Sequence, residues 1–247
     1  MRFLRLAIIW AFVVSCESDS TVDLQSGSGQ AGSMTRFAVA WNHLYLLEST
    51  SIKVFTIADS TLAMGETVYV RAGIETIFAN GEYLYLGANN GMYIYSIADP
   101  ARPAFVFQYE HIVACDPVVV QGNRAYITMR SGNGCNRASN ALEIVDISDP
   151  YSPVLIKNYP MSSPHGLAVD GTMLFVCEGE YGLKVFDITE EQAIVLLHSN
   201  EDFFAYDVIA RQGVATVTGS DGIFQFSYRN AQNTVSLLSK IPVSAAD

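Results

Sequence analysis

The sequence predicts an all-β fold, a β-propeller of about five four-stranded blades, and three observations carry that prediction. The chain resembles itself at intervals of about 40 residues. Each repeat holds runs of period-two alternation, the pattern of a strand. No segment longer than about ten residues shows the period of a helix. Four short strands per repeat suit a blade, the unit that stacks radially around a channel, and the solenoid alternative lacks its helix per repeat.

The repeats come into register on an aromatic or β-forming residue near the end of a strand. Asn42-His43-Leu44-Tyr45, Gly81 to Tyr85, Gly122 to Tyr126, Gly171 to Phe175 and Gly213 to Val217 line up, and the third interval is longer because of an insertion around Gly132 to Asn140. A second run follows in each unit: Ser51 to Ala58, Met92 to Ala98, Leu142 to Ser148, Leu183 to Thr189 and Ile223 to Arg229. These runs end in turn formers, Asp99-Pro100 and Asp149-Pro150 most clearly. A short apolar stretch such as Phe105 to Phe107 or Val154 to Ile156 closes the unit. The blades expected are residues 35–73, 74–113, 114–162, 163–203 and 204–247.

Leu142-Glu143-Ile144-Val145-Asp146-Ile147 resembles the strand that names the LVIVD-repeat family of bacterial and archaeal surface propellers. Further stretches, including Ala114 to Val120, Tyr159 to Leu167 and Ala205 to Ile209, resemble a lipoprotein branch of that family common in Bacteroidetes-type bacteria. The resemblance implies a propeller at the cell envelope and brings no enzymatic activity with it.

The N-terminus has the form of an export signal, with Arg2 and Arg5 ahead of the apolar run Leu6 to Val14. That run is too short for a permanent membrane span. Val13-Val14-Ser15-Cys16 resembles the lipobox of bacterial lipoproteins, which makes Cys16 the expected lipidation site and the membrane contact. The domains expected are a signal peptide over 1–15, a lipidated Ser/Gly-rich stalk over 16–33 and the propeller over 34–247. Glu17 after the Cys favours delivery to the outer membrane or cell surface under the same resemblance.

With 25 acidic against 14 basic residues and a net charge of −11, the chain lacks the clustered cations that nucleic acid requires. Of the other cysteines, Cys115 sits where blade three begins and Cys135 in the inserted loop of the same blade, and they are the expected disulfide in an oxidising compartment, with Cys115 to Cys177 or no bridge as alternatives. Cys177 lies inside a strand, where a free Cys acts as a small apolar residue. No CxxC pair exists and the His residues are scattered, so no metal site is expected, and no cofactor.

The residues ahead of each blade's first strand converge on the channel. Aligning Ile77, Val118, Leu167 and Val208 brings Glu75, Asp116, His165 and Asp207 to near-equivalent positions, with Arg36 as the blade-one counterpart. Such a ring could bind a cation or a sugar, or cap turns and close the channel. No GxSxG, HExxH, P-loop or Rossmann fingerprint occurs, so no catalytic residue is assigned. The leading expectation is a non-catalytic module that binds a protein or glycan; the alternative is a polysaccharide hydrolase or lyase using that ring.

Overall fold

The computed structural model describes residues 32–59, 61–110, 117–131, 140–228 and 234–243. They form twenty strands in five antiparallel sheets of four, arranged as a five-bladed β-propeller. Blade one is β1 (Phe37–Ala40), β2 (His43–Glu48), β3 (Ser51–Ala58) and β4 (Thr61–Tyr69). Blade two is β5 (Ile74–Asn80), β6 (Tyr83–Ala88), β7 (Gly91–Ser96) and β8 (Ala104–Glu110). Blade three is β9 (Val118–Gln121), β10 (Arg124–Met129), β11 (Ala141–Asp146) and β12 (Val154–Pro160). Blade four is β13 (Leu167–Asp170), β14 (Met173–Cys177), β15 (Leu183–Asp187) and β16 (Val195–Asn200). Blade five is β17 (Ala205–Arg211), β18 (Val214–Gly219), β19 (Gly222–Ser227) and β20 (Ser236–Pro242). Each sheet keeps the order of the chain, so no strand is exchanged between the first and last blades.

Local chemistry explains the repeated outline. The first two strands of every blade are joined by a two-residue turn, and its first residue has positive φ: Trp41 54°, Gly81 57°, Gly122 57°, Gly171 63°, Gln212 53°. Such turns match the twist of the paired strands and favour glycine. At the end of the third strand, Asp146 Oδ1 accepts bonds from the Ser148 N–H (2.8 Å) and hydroxyl (2.6 Å). Asp187 does the same for Thr189, at 2.8 and 2.6 Å. The acid that ends the LVIVD-like strand therefore closes an Asx turn. The pairing of third and outer strands shifts register in all five blades. In blades two to five the extra residue lies on the outer strand, as Val106, Ile156, Leu197 and Leu238, and such a bulge increases local twist.

The core lies between blades. Tyr45, Ile52 and Val54 of blade one pack on Ile77, Leu84 and Tyr93 of blade two. Tyr85, Met92 and Ile94 then meet Val118, Ile127 and Val145. Tyr126 and Ile144 meet Leu167, Leu174 and Val176. Phe175 and Val185 meet Val208, Val217 and Phe226. Each fully buried side chain of this size contributes roughly 1.5–3 kcal/mol.

Among the described residues no such cluster joins blade five to blade one. The reason is visible in register. The turn pairs Arg211 with Val214 as Asn80 pairs with Tyr83, so Thr216 is the counterpart of Tyr45, Tyr85, Tyr126 and Phe175. Those aromatics seal each blade against the next, and blade five has Thr in their place. The sequence alignment on Val217 was one residue out, because Gly213 takes the second turn position and Gln212 the first.

Candidate functional site

The five first strands, β1, β5, β9, β13 and β17, run in the same direction beside the channel. Their beginnings define an upper mouth and their ends a lower one.

At the upper mouth the N-terminal segment Gly32 to Arg36 crosses the ring. Ser33 is almost wholly buried, at 1% exposure. Its hydroxyl donates to Asp207 Oδ1 at 3.0 Å, and its Oγ accepts the Leu167 N–H at 2.8 Å. The Ile77 N–H donates to the Thr35 carbonyl at 3.0 Å. Asp207 also receives backbone N–H groups from Ser33, Met34 and Val208. Burial outweighs these bonds and holds its carboxyl above the ordinary range. The fit is close, since a Cβ on Gly32 or Gly166 would fall 2.3 or 2.0 Å from a carboxylate oxygen of Asp207. In place of a shared strand, this clasp ties the start of blade one to blades four and five.

His165 is buried beside it. Nδ1 lies 2.7 Å from the Ser163 carbonyl and Nε2 lies 3.0 Å from Arg130 Nη1. The carbonyl can only accept and the guanidinium can only donate, so Nδ1 carries the proton and Nε2 the lone pair. Burial first, and the Arg130 charge after it, lower the His165 pKa against the opposing pull of Ser163 and Glu178. The Phe204 ring meets the imidazole edge-on at 5.4 Å. His165 shares a cavity of about 50 Å³ with Glu75, Met34 and Arg130.

Of the ring read from sequence, Glu75 and His165 thus come together, and Asp207 is taken up by the clasp. Arg36 is exposed and aligns in register with Asp207, one position on from Glu75 and His165. Asp116 lies outside the described residues, as do Cys16, Cys115 and Cys135. Cys177 is buried with a free thiol, whose pKa burial pushes up. Among the described residues no three His, Cys, Asp or Glu side chains converge as metal ligands.

The larger cavity is at the lower mouth, which sequence reasoning passed over. It encloses about 260 Å³, and its rim carries Asn80, Gln121, Asp170 and Arg211, the last residues of four first strands. Three of these bond to a neighbouring blade. Asn80 Nδ2 donates to the Gly122 carbonyl at 3.3 Å. Gln121 exchanges two bonds of 2.8 Å with the Gly171 backbone. Asp170 Oδ2 accepts the Tyr228 hydroxyl. Phe78, Leu167 and Ile209 form apolar walls deeper in. The signal in the sequence was a polar residue before each turn glycine: Asn80-Gly81, Gln121-Gly122, Asp170-Gly171.

Comparison with known proteins agrees with this architecture. A functionally unknown protein from Desulfotomaculum acetoxidans superposes with a TM-score of 0.68 at 9% identity, over 81% of this chain and 66% of that one. A provisionally assigned 6-phosphogluconolactonase from Bacteroides fragilis gives 0.64 at 12%, over 84% and 69%. BamB from Moraxella catarrhalis gives 0.54 at 10%, over 76% and 55%. This chain spans just under two thirds of the first of these, and at such identities the likeness is one of fold alone. No curated protein matches the chain in sequence. The LVIVD repeat matches residues 75–111 and 114–160, which span blades two and three. The chain therefore carries LVIVD repeats in blades two and three of a five-bladed β-propeller.

Proposed function

We propose that this protein is a non-catalytic cell-envelope lipoprotein, anchored through Cys16, whose propeller binds a protein or glycan partner at its lower mouth. The observation that carries the reading is the contrast between the two mouths. The upper one is occupied by the chain's own Gly32 to Arg36, with Ser33 buried against Asp207. The lower one keeps a cavity of about 260 Å³. The acid and base candidates for a hydrolase or lyase are weakly placed. His165 Nε2 already faces Arg130, and Asp207 is consumed by the clasp.

Two measurements test the reading. Cys16→Ala should abolish metabolic fatty-acid labelling and release the protein from membranes; unchanged labelling would remove the anchor. A thermal-shift screen of the unlipidated chain against oligosaccharides and envelope proteins should find a stabilising ligand, since anything that binds only the native state raises its stability. Turnover of a polysaccharide that is lost in His165→Ala would overturn the non-catalytic assignment.

A further inference from the structure

Blade one turns an apolar face towards a neighbour that does not cover it. In register, Leu44, Leu46, Phe55 and Ile57 are the counterparts of Leu84, Leu86, Tyr95 and Ile97 in blade two. The blade-two residues are at most 5% exposed, because blade one packs over them. Their counterparts in blade one stay only half-buried. Phe37, Leu62 and Met64 pair with Leu46, Ile57 and Phe55 and so share their face, where they are 48%, 58% and 62% exposed.

Blade five is not built to cover this face. In blade two, Tyr85, Met92 and Ile94 carry the packing onto the next blade. The same positions in blade five hold Thr216, Ile223 and Gln225, and the Ser239 hydroxyl donates to Gln225 Oε1 at 3.0 Å. A polar outer face of this kind is how the terminal unit of a repeat array ends against water. β1 and β17 barely meet, whereas the other four pairs of neighbouring first strands pack side by side. The wedge between blades five and one widens away from the channel, so the outer half of the blade-one face is reached without opening the ring. One end of the array is therefore capped, and the other still lacks an apolar sheet.

Among the described residues, the other apolar blade faces are all used up in the four sealed junctions. A second copy of the chain thus has one such face to offer, the same one. The charges on it suit a meeting of equals. Lys53 Nζ lies 2.7 Å from Glu48 Oε1, which leaves the face neutral in a chain of net charge −11. Two acidic molecules can approach there with least repulsion. We infer that a second copy of this chain docks on the open face of blade one, blade one against blade one about a two-fold axis. Two sheets then pack face to face, as in a sandwich, and a two-fold contact needs a self-complementary patch. Each Lys53 can reach the Glu48 of the other copy as well as its own.

Sedimentation equilibrium of the unlipidated chain from about 1 μM to about 1 mM tests the inference. Met64→Asp places a charge on the face, and Leu196→Asp, on the outer strand of blade four, is the control. Both side chains are exposed, so both variants should melt with the parent. The expected result is a dimer that Met64→Asp weakens at least tenfold and Leu196→Asp leaves unchanged. Lys53→Glu should weaken it too, and adding Glu48→Lys should restore it, because the exchanged pair keeps its complement within and between copies. A monomer throughout the range, a dimer indifferent to Met64→Asp, or one weakened equally by Leu196→Asp would overturn the inference.

Discussion

Asp207 is subject to two opposing demands. Burial disfavours its charge, and the Ser33 hydroxyl with three backbone N–H groups favours it; burial is the larger, so the pKa rises. The native state then holds the proton more readily than the unfolded chain. The stability from this shift is full below the unfolded value of 3.8 and is lost as pH rises through the folded pKa. Asp146 and Asp187 behave oppositely, since bonds from Ser148 and Thr189 hold them below 3.8. Their contribution is present above that value and is lost as pH falls through the folded pKa. His165 is depressed below 6.5, so its contribution also stands above the unfolded value and is lost as pH falls through the folded one. His43 and His198, both lowered by burial, add to that loss. Urea denaturation should therefore show stability falling from pH 7.5 towards pH 5, with a shallower fall in His165→Gln. An identical slope in the variant would remove His165 from the account. At pH 7, Asp207→Ala should cost about 2 kcal/mol and Ser33→Ala about 1 kcal/mol, the range for charge-assisted and ordinary hydrogen bonds. No loss in either would show that the clasp does not bear on stability.

At the scale of elements, the two-residue turns offer a test free of packing changes. Gln212 is exposed and adopts φ 53°, a conformation that costs an ordinary side chain about 1–2 kcal/mol. Gln212→Asn should raise stability by about 1 kcal/mol, because Asn tolerates that region. Gly122→Ala should lower it by a similar amount: φ is 57° and nothing lies within 4 Å of the added Cβ, so the effect is backbone strain. Melting temperatures that move together in both variants would contradict the turn assignment. These turns also show what the sequence made legible. Glycine at 81, 122 and 171 fixed the first two strands of three blades, and Asp-Pro after the third strand marked two of their ends. Blade five slipped by one because its glycine occupies the other turn position, and a glycine alone does not say which. The lower rim went unread for a related reason. Asn80, Gln121 and Asp170 resemble ordinary turn residues, and only their placement around one channel gives them a common role. The clasp was similarly hidden, since Ser33 and Asp207 are separated by 174 positions and belong to no shared motif.

For the molecule as a whole, the seal is unequal around the ring, and that sets where it opens. Four of the five blade junctions hold continuous apolar clusters. At the junction of blades five and one, Phe37 is 48% and Ile209 38% exposed, and the polar Thr216 stands where an aromatic seals the others. Among the described residues, what holds this junction is the hydrogen-bonded clasp of Ser33 on Asp207 and Leu167. A repeat array opens first where a terminal unit has the weakest neighbour. Hydrogen exchange should therefore reach the amides of β1 and β17 through smaller openings than those of β10 and β14, which are buried between sealed blades. Asp207→Ala should speed exchange in β1 and β17 and leave β10 protected. The lower rim gives a control within the same ring. Gln121→Ala removes two bonds to Gly171 but leaves the apolar cluster between blades three and four intact. It should therefore cost stability without shifting the first opening to that junction. If Asp207→Ala speeds exchange evenly through all five blades, the ring unfolds as one cooperative unit and the clasp is only one bond among many. If the effect stays at blades one and five, the N-terminal segment that fills the upper mouth is also the fastening that closes the propeller.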